Sequence, residues 1–317
     1  MRRSQMRSRM PVFRFILQRV LQAVLVTLAV TLFVAFAVRL TGDPAVMMTA
    51  ESSSVTEEDL IRIREALGLN QPFYAQYLDF LKSLITFDLG NSFFRGSIAD
   101  LISIALPSTL VLAVASMGVS ILISIPLGVH AALHKGGLSD QIIRVLSLVG
   151  LSFPNFWLGI MFVLLLSITF PILPASGFET WSALILPALT IGIILTATNV
   201  RLVRTQMLET LSAQYVMVAR AKGLSEWSVI YKHALRNAAI AIVTFLGLQF
   251  GNLIGGLVVV ELVFNWPGMG TLSIEAIAQR DYPLLQATVS LLAIMIVAVN
   301  LAVDLVYGLI DPRIRVA

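Results

Sequence analysis

His130 and His134 stand four residues apart, a spacing that puts two imidazoles on one face of a helix and would suit a zinc ion. Between them lies Ala-Ala-Leu, without the glutamate of an H-E-x-x-H motif and without an obvious third ligand, so no metal site is expected. The 317-residue chain has three histidines and no cysteine, which removes thiolate ligands, disulfides and cysteine nucleophiles. No G-x-S-x-G elbow and no G-x-x-x-x-G-K-[ST] phosphate loop occurs. No residue is therefore expected to be catalytic, and this chain alone has no means of cradling a nucleotide.

The residues with the most specific pattern lie in the stretch Ser212–Asn237, SAQYVMVARAKGLSEWSVIYKHALRN. Good helix formers run from Ala213 to Lys222, and Gly223 tolerates the positive φ of a helix C′ position. Ser225 can cap a second helix, with Glu226 in its first turn near the positive end of the dipole. Two short helices at an angle are expected. Ala219 and Ala221 are small enough to let another surface come close, and Arg220 and Lys222 add positive charge. A basic loop that merely fixes topology explains the charge, but not the helix, the glycine break and the second cap together.

These residues must be positioned by a membrane-embedded frame. Of the chain, 57% is hydrophobic and 13% charged, with mean hydropathy +0.88, whereas soluble domains carry about 25% charged residues. Apolar runs long enough to cross a bilayer are read at Phe15–Val38, Leu106–Val129, Val145–Thr169, Ala183–Val200, Ala238–Val260 and Leu284–Tyr307. In hydrocarbon each span must satisfy its own backbone, so all six are expected to be helices. The first follows Arg2, Arg3, Arg7, Arg9 and Arg14 and contains Ala35-Phe36-Ala37, which looks like a signal-cleavage site. Its apolar run exceeds the roughly 7–15 residues of a signal core, so it is expected to stay as a span. Pro154 should kink the third.

Lysine and arginine set the orientation. They crowd the N-terminal tail, the loop after span two (Lys135, Arg144), the loop after span four (Arg201, Arg204, Arg220, Lys222, Lys232, Arg236) and the last residues (Arg313, Arg315). Segment 171–182 has none, and 261–283 has only Arg280. Both termini are therefore expected in the cytoplasm, with residues 39–105 outside. That external part should hold a short amphipathic helix capped by Thr56 and a second helix from Tyr74 to Ile85, separated by Gln71-Pro72. Trp266-Pro267-Gly268 fits a tight turn with proline and glycine at its centre. A short external or re-entrant helix over Thr271–Gln279 should follow, ended by Asp281-Tyr282-Pro283.

Within the spans, Gly247, Gly251 and Gly255 make a flat strip that serves either a partner interface or gate, or packing inside this chain. Gln249 and Asn252 are polar at mid-span, so either they line a pathway or they bond between helices. Asn300 and Asp304 share a face of span six, where a hydrogen bond or ion pair within the bundle is expected.

Ala219-Arg220-Ala221-Lys222-Gly223-Leu224, followed by His233-Ala234-Leu235-Arg236-Asn237, resembles the EAA-type coupling loop of bacterial ABC importer permeases. The peptide-permease branch, in particular the dipeptide and oligopeptide permease B-type subunit, is the nearest likeness. Ala219, Gly223 and Leu235 match the general loop pattern; Met217 stands for its Glu, His233 for its Ile and Arg236 for its Pro, as is usual in the peptide branch. The likeness covers the whole chain, through Arg14-Phe15-Ile16, Gly42-Asp43-Pro44, Leu67-Gly68-Leu69, Gln71-Pro72, Asp88-Leu89-Gly90-Asn91-Ser92, Pro107-Ser108-Thr109-Leu110, Glu261-Leu262-Val263-Phe264, Arg280-Asp281-Tyr282-Pro283, Asn300-Leu301, Asp304-Leu305 and Asp311-Pro312-Arg313. Phe87 departs from it, standing where the family more often has glycine.

The resemblance implies a type I ABC importer permease fold, an all-α integral membrane protein of six transmembrane helices in the bacterial inner membrane. Its organisation would be a basic tail (1–14), the first span (15–38), an external subdomain (39–105), a permease core (106–308) with the coupling loop (212–237) and a cytoplasmic tail (309–317). It implies a second, related permease subunit in a heterodimer, two cytoplasmic ATPase subunits that hold ATP-Mg, an external substrate-binding protein and no nucleic acid. Tyr215, Ala219, Arg220, Ala221, Lys222, Gly223, Leu224, Glu226, His233 and Leu235 would meet an ATPase. The cargo implied is a dipeptide or oligopeptide, with glutathione, a nickel chelate, a sugar or an opine as alternatives. A stand-alone secondary transporter and a membrane enzyme compete with this reading. The missing phosphate loop agrees with ATP hydrolysis by separate subunits, and the spans show no internal repeat of the kind secondary transporters carry.

Overall fold

The computed structural model describes residues 2–40, 57, 61, 64, 65 and 70–310. The motifs at 42–44, 67–69 and 311–313, the Thr56 cap and residues 311–317 of the last tail lie outside the described residues; Glu57, Ile61, Arg64 and Glu65 of the expected amphipathic helix are helical.

The described residues are mostly helical. α1 (Arg2–Leu40) is followed by α2 (Phe73–Thr86), and a two-residue antiparallel ladder pairs β1 (Asn91–Ser92) with β2 (Gly96–Ser97), Asn91 facing Ser97. Then come α3 (Ile98–Leu133), α4 (Leu138–Ser152), α5 (Asn155–Val163), α6 (Ile185–Leu211) and α7 (Gln214–Ala221). α8 (Leu235–Gly256), α9 (Val258–Val263), α10 (Met269–Ala278) and α11 (Tyr282–Ile310) complete the order. Among the described residues five helical stretches are long and apolar enough to cross a membrane: Ile16–Leu40, Ile98–Leu133, Trp181–Leu211, Ser228–Gly256 and Tyr282–Leu305.

The expected third span is not one kinked helix. α4 and α5 meet at 100°, and only as a broken pair do they supply a sixth crossing. Pro154 has no N–H to continue α4 and forces the residue before it out of the helical region, so Phe153 is extended (φ −91°, ψ 132°). Pro154 then starts α5 as its N-cap, and its carbonyl accepts from Leu158 N–H at 3.1 Å.

Other boundaries move for equally local reasons. α3 starts at Ile98 rather than Leu106 because the Ser97 hydroxyl accepts the Asp100 N–H, a capping bond that hydropathy does not reveal. α6 runs past Val200 to Leu211 and carries Arg201 and Arg204 with it. The expected turn at Trp266-Pro267-Gly268 is absent: Gly268 is extended (φ −99°, ψ 175°) as the N-cap of α10, and Asn265 takes the left-handed conformation (φ 48°). Asp281-Tyr282-Pro283 does not end α10 either. Arg280 (φ 55°) ends it, and Asp281 caps the next helix by accepting Leu284 N–H at 3.2 Å.

The described chain forms two compact units. Unit 1 comprises the described residues within 1–17, 110–266 and 299–317; unit 2 comprises those within 18–109 and 267–298. In unit 1, α6 is the central helix, packed against α4, α5 and α8. Its apolar window is 61% buried, against 17–33% for the other four spans, so it alone is enclosed by protein. Asn199 on α6 donates its Nδ2 to Ser120 Oγ on α3 at 2.8 Å, a buried polar link between the two helices. In unit 2 the core gathers Leu89, Ile98, Ile102, Met269, Leu272 and Leu284.

Candidate functional site

α7 begins where Ala213 turns extended (φ −73°, ψ 147°) and breaks the chain away from α6. Its inward face carries Val216 and Ala219, both buried three residues apart, as one side of a helix requires. Its outward face presents Tyr215, Met217, Val218, Arg220, Ala221 and Lys222. The helix ends in a Schellman motif: Leu224 N–H bonds the Ala219 carbonyl (3.4 Å), Gly223 N–H bonds the Arg220 carbonyl (2.9 Å), and Gly223 takes φ +77°. That conformation is the one expected of the glycine, and it turns the chain sharply enough to start a second helical run three residues later, at Glu226.

The second run is not a separate short helix. Ser225 Oγ accepts Ser228 N–H at 3.4 Å, and a π-helical turn (Ser228–Ala234) leads without interruption into α8. The crossing helix Ser228–Gly256 is thus mechanically continuous with the loop. Val229 and Ala234 are buried beneath the turn, His233 and Leu235 are half-buried, and the His233 carbonyl accepts Asn237 Nδ2 at 2.7 Å. Arg220 and Glu226 lock the two limbs together with a two-point ion pair, Nε–Oε1 2.9 Å and Nη2–Oε2 3.2 Å.

Large apolar side chains stand out on this loop. Trp227 is 70% exposed, with Tyr231 5.3 Å from it ring to ring, and Tyr215, Met217, Val218 and Leu224 are exposed beside them. Arg220, Lys222, Lys232 and Arg236 are interleaved with these residues, which is unsuited to lipid tails. An exposed apolar patch rimmed by charge is a candidate contact surface for a protein or for the membrane interface.

Sequence reasoning missed the residue that ties α4 to α6, the helix leading into this loop. Asp140, at the start of α4, is fully buried and accepts Arg204 Nε at 2.6 Å, Arg204 Nη2 at 2.8 Å and Gly136 N–H at 2.9 Å, with Arg144 Nε 3.6 Å away. Arg144 and Arg204 were readable only as topology charges. The signal for Asp140 was a lone carboxylate opening an apolar helix four residues before an arginine.

The glycine strip divides. A side chain at Gly251 would overlap Asn300 Oδ1 on α11, and one at Gly247 would press within 2.9 Å of Val303 Cγ1, whereas Gly255 faces open space. Gln249 Oε1 is buried with no hydrogen-bond partner among the described residues, and Asn252 is exposed. His134 Nδ1 lies 3.0 Å from the His130 carbonyl, and the two rings stack at 4.2 Å.

The described chain is thus a multi-span helical body with a glycine-broken loop between two of its crossing helices. The chain belongs to the family described as binding-protein-dependent transport system inner membrane component: residues 124–316 match it, and residues 12–93 match its N-terminal family. The glutathione transport system permease protein GsiC of Escherichia coli K12 is 38% identical over 281 residues, 88% of this chain and 91% of the relative. The protein of the same description from Shigella dysenteriae serotype 1 matches equally. Among solved structures, the inward-facing MetNI methionine ABC transporter shares the fold with TM-score 0.56 at 16% identity, covering 67% of this chain and 96% of that one. An amino acid ABC transporter does so with TM-score 0.50 at 14% identity, covering 66% and 93%. The chain is a permease subunit of an ATP-binding-cassette importer, a multi-pass inner-membrane protein that works with ATPase and substrate-binding partners.

Proposed function

We propose that this subunit is non-catalytic and passes short peptides inward by alternating access, driven by two ATPase subunits that hold ATP-Mg, beside a second, distinct permease subunit. Both termini and the loop 212–237 face the cytoplasm, as the lysine and arginine distribution favours. The observation that carries the reading is the continuity of the loop with the crossing helix Ser228–Gly256: a push on α7 and its Arg220–Glu226 clamp acts directly on a span. Tyr215, Met217, Val218, Leu224 and Trp227 form the apolar face that an ATPase groove would cover. Relatives named for glutathione transport favour a peptide cargo, since glutathione is itself a short peptide.

The test is uptake into proteoliposomes holding both permeases, the ATPases and the binding protein. Labelled glutathione, a dipeptide and a tripeptide are offered, with a nickel chelate, a sugar and an opine as competitors. ATP-dependent accumulation of a peptide, lost in Leu224→Asp together with recovery of the ATPase on purification, is the expected result. Uptake that needs no ATPase would return the stand-alone transporter to first place, and uptake of only a non-peptide would replace the cargo.

A further inference from the structure

Unit 2 holds a partly open cavity of about 260 Å³ beside the last described turn of α1 and the first turn of α11. α1 contributes Val38 and Arg39 to its wall, α2 contributes Phe73, Tyr77 and Asp79, and α11 contributes Tyr282. The wall is held firmly. The Arg39 guanidinium lies 5.1 Å over the Phe73 ring, Phe73 meets the Phe36 edge at 6.3 Å and stacks on Tyr77 at 6.4 Å. The Tyr77 hydroxyl donates to the Leu28 carbonyl at 3.0 Å. Among the described residues neither Arg39 nor Asp79 closes an ion pair, so one positive and one negative group stand at the same cavity.

Position narrows the ligand. The cavity sits at one end of two apolar stretches long enough to cross a bilayer, Ile16–Leu40 as far as it is described and Tyr282–Leu305, and the end of a span is where hydrocarbon gives way to headgroups. Its aromatic wall has the amphipathic character found at that depth. Below it, α1 exposes Leu25, Leu32, Phe33 and Phe36, an apolar lane along the same helix. The volume falls below the roughly 300–1,000 Å³ of sites for drug-sized ligands, so a headgroup suits it better than a peptide of several residues.

We infer that this cavity binds the zwitterionic headgroup of a phospholipid, its phosphate on Arg39 and its ammonium on Asp79, with acyl chains along the exposed face of α1. An anionic headgroup would meet the Asp79 carboxylate without compensation. A quaternary ammonium could not donate hydrogen bonds to that carboxylate. An ethanolamine headgroup satisfies both groups.

The experiment places the intact importer in nanodiscs of equal phosphatidylethanolamine and phosphatidylglycerol, strips bulk lipid with mild detergent and counts retained lipid by mass spectrometry. Wild type should retain ethanolamine lipid over glycerol lipid by on the order of fivefold, the upper end for one partly screened ion pair. Asp79→Asn should bring the ratio to near parity, Arg39→Gln should reduce retention of both lipids, and Arg39→Lys should restore it. Both positions are exposed, and an unchanged gel-filtration profile and thermal midpoint checks that each variant is folded. A parity ratio in wild type, or variants with the wild-type ratio and retention, overturns the proposal. So does displacement of the lipid by millimolar phosphoethanolamine or a dipeptide, which would make the cavity a solute site.

Discussion

Ser92 donates its hydroxyl to the buried carboxylate of Asp281, 189 residues further along the chain. The same carboxylate oxygen accepts Phe93 N–H at 3.0 Å, and the other oxygen accepts Leu284 N–H at 3.2 Å. Ser92 Oγ in turn accepts Phe94 and Arg95 N–H, and Arg95 pairs with Glu275. One carboxylate thus fastens the β1–β2 hairpin to the start of α11.

Asp281→Ala should orphan two backbone N–H groups and a hydroxyl, at a cost of about 3 kcal/mol. The measurement is the thermal midpoint of the purified complex, together with protease cleavage between residues 86 and 97. Asp281→Asn keeps an acceptor and should lose less. Equal stability of the alanine variant would mean that the hairpin is held by other contacts.

Arg204 and Asp140 make the corresponding joint in unit 1. Arg204→Leu leaves a fully buried carboxylate with only the Gly136 N–H and the half-exposed Arg144 at 3.6 Å, and should cost about 3 kcal/mol. Adding Asp140→Asn removes the stranded charge and should recover a good part of that loss. A double-mutant cycle of thermal midpoints reads the coupling directly, and strict additivity would show that the pair does not act as a unit.

Crossing helices were legible because hydrocarbon imposes one pattern, a long apolar run, and no side-chain contact alters that demand. The Gly223 break was legible for a similar reason: few residues tolerate φ +77°. What escaped were features set by partners distant in sequence. Asp140 carries only a weak local mark, the arginine four residues on, which a solvated helix start shares; the partner that buries it lies 64 residues away. Asp281 read as a helix stop because Pro283 follows closely, yet proline is as welcome in a helix's first turn, and tertiary bonds to Ser92 and Phe93 decide for the start. Pro154 was read correctly as an irregularity, but the size of the break, 100°, depends on where α5 finds its packing against α6 and α9.

Gly251 and Gly255 should separate packing inside the chain from contact outside it. Gly251→Val drives a side chain into Asn300, and overpacking of this kind costs about 1–3 kcal/mol or more. Gly255→Ala meets nothing within 4 Å and should stabilise the subunit by roughly 0.5–1 kcal/mol, through helix propensity. Thermal unfolding of the isolated subunit in detergent measures both. Gly255→Leu should leave that midpoint intact but lower the recovery of the two-permease complex; full recovery would assign this end of the strip to lipid.

Substitutions at Gly223 separate backbone strain from docking. No atom lies within 4 Å of a Cβ built there, so inside this chain a new side chain meets only the left-handed backbone, a strain of roughly 1–2 kcal/mol. Gly223→Ala and Gly223→Trp should therefore lower the thermal midpoint by similar amounts. If α7 and Leu224 lie in an ATPase groove, the two variants diverge in transport. The alanine form should keep a measurable fraction of uptake, and the tryptophan form should lose it, with ATP hydrolysis no longer stimulated by substrate. Proteoliposome uptake and ATPase rate, measured on the same preparations, give both readings. Equal uptake by the two variants would mean that the space beside Gly223 stays open in the assembled transporter, and the docking surface would have to be sought around Trp227 and Tyr231 instead.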